Sequence, residues 1–281
     1  MASYSITVLE IGYGENQPQS FYLGDFADPD VVYPVHPFSM TLVRGEGKNI
    51  LIDTGMDTDD PVKQGILQMA GIGHAHSPRE ILGTVGLTPE DIDAVILTHA
   101  HFDHAGAVDC YPNATFYIQE REYLGWSEYL AEGDKYKAIG LFSMDPNDIV
   151  RLRKLHESGR LVLLKGDVAD LFPGISVVAA AFGHSFGSQM VHIETDGMLI
   201  IHCGDVANRP ENLLGTENMP FFIPNVKFAV GAPYYTITDY ERLMRWTLGK
   251  IDRIIMTHDG SRRDRYPGSI GPLELGIFRI C

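Results

Sequence analysis

The chain has 281 residues, 44% of them apolar and 21% charged, the make-up of a soluble globular protein. Its formal charge of -15, from 22 basic against 37 acidic residues, sets up a field that repels polyanions and argues against nucleic acid as a partner. No apolar run approaches the ~18 residues of a membrane span. Three scattered cysteines, Cys110, Cys203 and Cys281, suggest no disulfide framework, so a reducing cytoplasm is the expected compartment.

Taken in chain order, the opening MASYSITVLEIG has no basic n-region and carries Glu10 inside its apolar stretch, so Ser5–Ile11 reads as a first strand rather than a signal peptide. Tyr13–Phe38, rich in Pro, Gly, Asn and aromatics, reads as an irregular loop of the kind that forms lids or binding surfaces. Apolar runs suited to buried strands follow at Met40–Val43, Asn49–Ile52, Ala94–Leu97, Thr115–Ile118, Leu161–Leu164, Ile175–Ala179, Met190–Ile193, Met198–Ile201 and Arg253–Met256. Helical signals lie at Pro78–Val85, Gln119–Leu130, Pro146–Glu157 and Asp239–Leu248; Asp145 before Pro146 is an N-cap with a first-turn proline, and Thr238 before Asp239 suits a helix start. Asn208–Tyr235 is a second irregular stretch, and the basic SRRDR segment with Arg262, Arg263 and Arg265 reads as a solvated surface turn. There is no repeat, low-complexity tract or linker, which favours one domain over residues 1–281 with inserted loops. Strands without regular βα alternation are best buried as two packed sheets covered by helices, an α/β (α+β) architecture.

The segment ILTHAHFDHAGAV concentrates chemistry. A buried strand, Ala94–Leu97, runs directly into His99, His101, Asp103 and His104, and small residues follow. As core, three imidazoles and a carboxylate within six residues would each need polar partners, whereas a cation satisfies all four. Neutral imidazole and carboxylate suit zinc, and also iron or manganese. His99 and His101 can point the same way from an extended segment, while Asp103 and His104 diverge and can serve a second ion. The small residues after His104 would let a helix start pack under the site. Three further candidates sit just past apolar strands: His184 in FGHSFGSQ, Asp205 in HCGDV and His258 in MTHDG. His74 and His76 imitate a ligand pair but read as a solvated or lid pair. Cys203 reads as strand core.

H-x-H-x-D-H followed by a distant His, Asp and His, with LIDTG at Leu51–Gly55, resembles the metallo-β-lactamase superfamily of binuclear hydrolases, and GHSFGSQ at Gly183–Gln189 resembles its branch of N-acyl homoserine lactonases and 4-pyridoxolactonase. The resemblance implies a four-layer αββα sandwich and two divalent ions, zinc first, with manganese or iron as alternatives. It implies His99, His101 and His184 on one ion and Asp103, His104 and His258 on the other. Asp205 would bridge them together with a hydroxide, and Asp53 would orient a ligand imidazole. It also carries a homodimer as a candidate assembly. The chain departs from the lactonases in one place: where they have a Tyr three residues after the bridging Asp, it has Asn208, which can donate a hydrogen bond but cannot act as an acid.

The expected reaction is hydrolytic opening of a small cyclic ester, with Asp103 or Asp205 passing the proton to the leaving group. A cyclic amide or imide, or a thioester of the glyoxalase II kind, is the alternative within hydrolases. A di-iron redox protein and a non-catalytic metal-binding protein are the alternatives from other classes. No G-x-S-x-G elbow or P-loop supports a competing design. Besides Asn208, candidates for contact with the small-molecule substrate are Phe221, Phe222, Tyr234, Tyr235, His74 and His76, the aromatics suiting a planar ring.

Overall fold

A computed structural model describes residues 2–131, 143–225, 229–266 and 269–281. Two sheets face each other. The first runs, in spatial order, Ile277–Arg279, Tyr4–Pro18, Val32–Gly45, Lys48–Ile52, Ala94–Ile96, Thr115–Gln119 and Leu161–Leu164, with Ile72–Gly73 pairing to one end of Tyr4–Pro18. The second runs Ile254–Ile255, Met198–His202, Gln189–Thr195, Ile175–Ala179 and Val168–Phe172.

The period-two alternation of side chains builds the layers. Ile6 and Val8, Ile50 and Ile52, and Ala94 and Ile96 turn inward to meet Val177, Val191, Ile193, Ile200 and Ile255 of the second sheet. Their sequence neighbours Leu9, Leu51 and Val95 turn the other way. They pack with Leu67, Leu82, Trp126, Ile149 and Leu152 from the helices Pro61–Met69, Pro78–Gly83, Glu120–Ala131 and Pro146–Glu157. On the far side Met190, Ile201 and Met256 pack with Tyr240 and Leu243 of the helix Pro233–Trp246. The result is the helix–sheet–sheet–helix stack expected from the resemblance. Among the described residues no helix is long and apolar enough to cross a membrane.

Several expectations are corrected. Both ends of Tyr13–Phe38, half of its residues, are strand: Tyr4–Pro18 and Val32–Gly45 form one long antiparallel ladder, from Tyr4 opposite Gly45 to Pro18 opposite Val32, with a register shift between Glu10 and Gly12. Its prolines and glycines obscure the alternation, yet the ladder tolerates them. The last of the expected helices begins at Pro233, six residues ahead of the Asp239 start, because Pro233 occupies the first turn and Ala232 its extended N-cap. Pro61–Met69 was missed; it begins on an Asp60 cap whose side chain accepts from the Val62 amide at 2.9 Å. The short helix near the His cluster spans Phe102–Ala105, so it contains Asp103 and His104 instead of starting after them. A Cβ at Gly106 would fall 1.9 Å from the Phe102 carbonyl oxygen, which explains the small residue there. The basic turn is partly buried: Arg262 is 2% exposed and hydrogen-bonds the Met256 carbonyl, while the half-buried Arg263 binds the buried Glu10 and the exposed Arg265 pairs with Asp259. The three cations thus find two local anions and a carbonyl.

Candidate metal centre

Each candidate ligand lies where a strand of one sheet gives out. Ala94–Ile96 leads into His99, His101 and the Phe102–Ala105 helix; Met198–His202 leads into Asp205; Ile254–Ile255 leads into His258; and His184 lies between Ile175–Ala179 and Gln189–Thr195. The fold brings all seven together and buries them, from 0% exposure at His99 and His104 to 6% at Asp205. They form two groups able to hold a metal ion, His99 with His101 and His184, and Asp103 with His104, Asp205 and His258, with ligand atoms in each within 4.8 Å of one another.

Asp205 links the groups. Its Oδ2 lies 3.1 Å from His258 Nε2 and 3.5 Å from His184 Nε2, while Oδ1 lies 3.4 Å from His104 Nε2. His104 Nε2 is also 3.1 Å from Asp103 Oδ2. His101 Nδ1 and His184 Nε2 face each other at 3.1 Å.

The outer nitrogens of four of the five histidines are spoken for. His104 Nδ1 donates to Asp53 Oδ2 at 2.8 Å, and His258 Nδ1 donates to the Pro37 carbonyl at 2.8 Å. Thr98 donates its hydroxyl hydrogen to Asp53 Oδ2 at 2.9 Å, so its oxygen can accept from His99 Nδ1 at 3.0 Å. His101 Nε2 meets the Ser143 hydroxyl at 3.2 Å. These bonds set tautomers that leave the inner nitrogens as lone pairs, the form a metal requires. Among the described residues His99 Nε2, His104 Nε2 and Asp205 Oδ1 are buried with no hydrogen-bond partner, which is costly unless a cation takes them. This donor set fits two divalent ions.

The electrostatics agree. Burial holds the pKa of His99 and His101 well below the ordinary imidazole value and lowers that of His184 to about 4. Burial also opposes charge on His104 and His258, but the carboxylates around them, Asp103, Asp53 and Asp205 for His104 and Asp205 and Asp103 for His258, outweigh it and raise both. The same pairing overcomes burial at Asp103 and Asp205 and lowers both.

Asp53 accepts from the Thr98 amide at 2.7 Å besides its bonds to Thr98 and His104 side chains. It sits at φ +64, a left-handed conformation that Asp tolerates better than most residues. Gly204, next to Asp205, is constrained by contact: a Cβ there would fall 2.8 Å from the Thr98 side chain.

Sequence reasoning missed the residue that ties the loops together. Glu122, fully buried, accepts from the Ala100 amide at 2.9 Å, Trp126 Nε1 at 2.9 Å, the Ser185 hydroxyl at 2.6 Å and the Gly187 amide at 2.6 Å. One carboxylate thereby joins the loop of His99 and His101 to that of His184. The terminal Gln of GHSFGSQ acts similarly, since Gln189 Nε2 donates to the Leu97 carbonyl at 2.7 Å.

A cleft of about 630 Å³, counted to its open mouth, lies over the centre. Among the described residues it is lined by Gln17, Phe21, His36, Phe38, Ala70 and Phe102, together with His101, Asp103, Ser143, His184, Asp205, Asn208 and His258. Of the predicted substrate contacts, Asn208 is on this wall; Phe221, Phe222, Tyr234, Tyr235, His74 and His76 are not. Phe221 is 51% exposed, and Phe222 packs edge-on against Tyr240. Tyr234 and Tyr235 ride the exposed first turn of their helix, a consequence of its early start. His74 stacks on Tyr13 at 4.5 Å, and His76 lies 3.6 Å from Glu80. The aromatic wall comes instead from Phe21, Phe38 and Phe102. The stretch read as irregular does supply one side of it, in its ladder and the short helix between.

Two facing sheets capped by helices, with a His and Asp centre at their strand ends, define a metal-dependent hydrolase. The chain belongs to the metallo-beta-lactamase superfamily, whose family model matches residues 34–258. An N-acyl homoserine lactonase of Bacillus thuringiensis is 26% identical over 229 residues, covering 78% of this chain and 79% of the relative. Among solved structures, an N-acyl homoserine lactone hydrolase with N-hexanoyl-L-homoserine at its catalytic metal centre superposes with a TM-score of 0.67 at 22% identity, over 94% of this chain and 97% of that one. A dizinc quorum-quenching lactonase superposes at 0.61 with 17% identity, over 99% and 95%.

Proposed function

We propose that the centre holds two divalent ions, zinc first, and hydrolyses a small cyclic ester. His99, His101 and His184 hold one ion, Asp103, His104 and His258 the other, and Asp205 stands between. The observation that carries this is the placement of Asp205, whose two oxygens reach into both groups. Bound there, the ions would supply a water acidified toward neutrality, roughly from 15.7 to near 7 in favourable cases, and an electrophile for the carbonyl. Phe21, Phe38 and Phe102 exclude bulk water from one side of the cleft. Asp103 and Asp205, both on the wall of the cleft, are placed to hand a proton to the leaving oxygen. The acidic surface disfavours polyanions. The lactonase activity named for the Bacillus thuringiensis relative supports a cyclic ester over a cyclic amide or a linear thioester.

The test is a metal assay followed by hydrolysis of lactones, cyclic amides and linear thioesters by the loaded protein. Two ions per chain with lactone turnover is the expected result, and Asp205→Ala should lose metal and nearly all turnover. Thioester hydrolysis without ring opening would overturn the substrate class; near-normal rates in Asp205→Ala would overturn the bridging role.

A further inference from the structure

Ring opening by attack of water turns the carbonyl oxygen into an oxyanion, which needs a hydrogen-bond donor besides the ions. Asn208, three residues after Asp205, lines the cleft. Among the described residues its Oδ1 is buried without a partner, so no hydrogen bond at that oxygen fixes how its amide is presented. We propose that His36, with its tautomer set by Tyr22, presents Nε2–H to that oxygen. This rests on the cyclic-ester reading above.

His36 comes from the Val32–Gly45 strand, lines the cleft and is 5% exposed. Its ring centroid lies 4.8 Å from that of His258, which places it beside the second group of ligands. The rings of Phe38 at 4.6 Å and Phe21 at 5.3 Å flank it and limit rotation. Its Nδ1 is hydrogen-bonded to the Tyr22 hydroxyl.

The direction of that bond follows from burial. Tyr22 is 1% exposed, and its hydroxyl is hydrogen-bonded to His36 Nδ1. Were His36 the donor, the phenolic hydrogen would be buried with no acceptor among the described residues, so the hydroxyl donates and His36 Nδ1 accepts. With Nδ1 accepting, the neutral ring carries its hydrogen on Nε2. During the reaction the water oxygen bonds to the carbonyl carbon while Asp103 or Asp205 takes one of the water's protons, and the carbonyl π pair moves onto the carbonyl oxygen, where His36 donates without giving up its proton. Collapse then breaks the ring C–O bond, and the departing oxygen takes that same proton from the carboxylate.

The experiment uses the full zinc-loaded chain with dihydrocoumarin, an aromatic lactone, and ¹⁵N NMR of the histidine side chains. His36→Phe should lower kcat by about 100-fold, the usual loss of one oxyanion donor, with KM and zinc content near normal. His36→Gln, which keeps an N–H at the end of its side chain, should restore part of the rate. Tyr22→Phe should lower kcat less and shift the His36 resonances away from a pure Nε2–H pattern. Normal kcat in His36→Phe at normal zinc content would overturn the proposal, as would a His36 hydrogen on Nδ1 in the unmodified protein. If the unmodified protein opens no lactone, the cyclic-ester reading falls, and the NMR tautomer still decides the His36 assignment.

Discussion

Replacing Glu122 should weaken metal binding without touching a ligand. The carboxylate gathers four donors from three places: the Ala100 amide between His99 and His101, the Ser185 hydroxyl and Gly187 amide beside His184, and Trp126 Nε1 from its own helix. Burial pushes its pKa up and those four donors pull it back, so part of what the bonds contribute is offset by desolvation. In Glu122→Gln one oxygen becomes an NH2 group that meets a donor, either the Gly187 amide or the trio on Oε1. At about 1–3 kcal/mol for each buried donor left unmet, a net loss near 2–4 kcal/mol is expected once the loops relax. The two loops then no longer hold His184 opposite His101, and zinc affinity should fall by roughly 10- to 100-fold, the usual effect of removing a group that positions ligands. Competition with a chromophoric chelator measures the affinity, and denaturant unfolding of the metal-free protein measures the stability. Zinc affinity within twofold of normal in Glu122→Gln would refute the claim that one carboxylate couples the two loops.

Asp53→Asn keeps the shape but can turn an N–H toward His104 Nδ1; zinc affinity should drop about tenfold, seen in the same chelator assay, with a smaller change in apoprotein stability. The raised pKa values of His104 and His258 mean that both carry protons in the metal-free protein at pH values where a free imidazole has lost its own. Their contribution to the apoprotein is therefore fully present below the ordinary value of 6.5 and fades as pH rises through the raised values, while metal must displace those protons. Zinc uptake should release protons near neutrality, and the gap in Tm between loaded and metal-free protein should widen from pH 6 to pH 8, both read by calorimetry. Lys63, buried between Asp145 at 2.7 Å and Asp148, counters the burial that pushes the Asp148 pKa up to about 6. Lys63→Met should raise that pKa further, so its cost of about 3–5 kcal/mol at pH 8 should shrink as pH falls and Asp148 takes a proton; an equal cost at pH 5 and pH 8 in urea unfolding would count against it.

The metal centre was legible because its residue types are expensive anywhere else. Three imidazoles and a carboxylate in one short run, and single His or Asp residues just past apolar strands, need no structure to be noticed. The layers were legible for a similar reason, since Ile50–Leu51–Ile52 and Ala94–Val95–Ile96 are apolar on both faces and need cover on both. The cleft wall was not legible. Phe221, Phe222, Tyr234 and Tyr235 are as aromatic as Phe21, Phe38 and Phe102, and composition cannot say which cluster the chain folds over the His and Asp centre. His36 was hidden among prolines in a stretch taken for loop, where Gly12 opposite Phe38 and Gly14 opposite His36 continue the ladder with little side-chain signal. Glu122 lies among other glutamates in EREYLGW and differs from them only in what the helix buries. Arg262 misled for the opposite reason: a basic run ordinarily marks surface, and only the neighbouring Asp259, Glu10 and Met256 carbonyl make the interior acceptable.

These bonds also rank the ligands by how firmly each is held. His104 leans on Asp53, His258 on the Pro37 carbonyl, His99 on Thr98 and His101 on Ser143. His184 is different: its Nδ1 is buried with no partner among the described residues, so no hydrogen bond at that outer nitrogen fixes its ring. What fixes it is backbone. Val230 donates to the His184 carbonyl at 3.0 Å, Gly231 to the Gly183 carbonyl at 2.9 Å, and Glu122 holds Ser185 and Gly187 just beyond. An ion held by His99, His101 and His184 would therefore depend on loop geometry, and one held by Asp103, His104 and His258 on side-chain partners. Loosening Glu122 should free the first ion before the second, whereas Asp53→Asn should act on the second, so zinc titrations of the two variants should lose different binding steps.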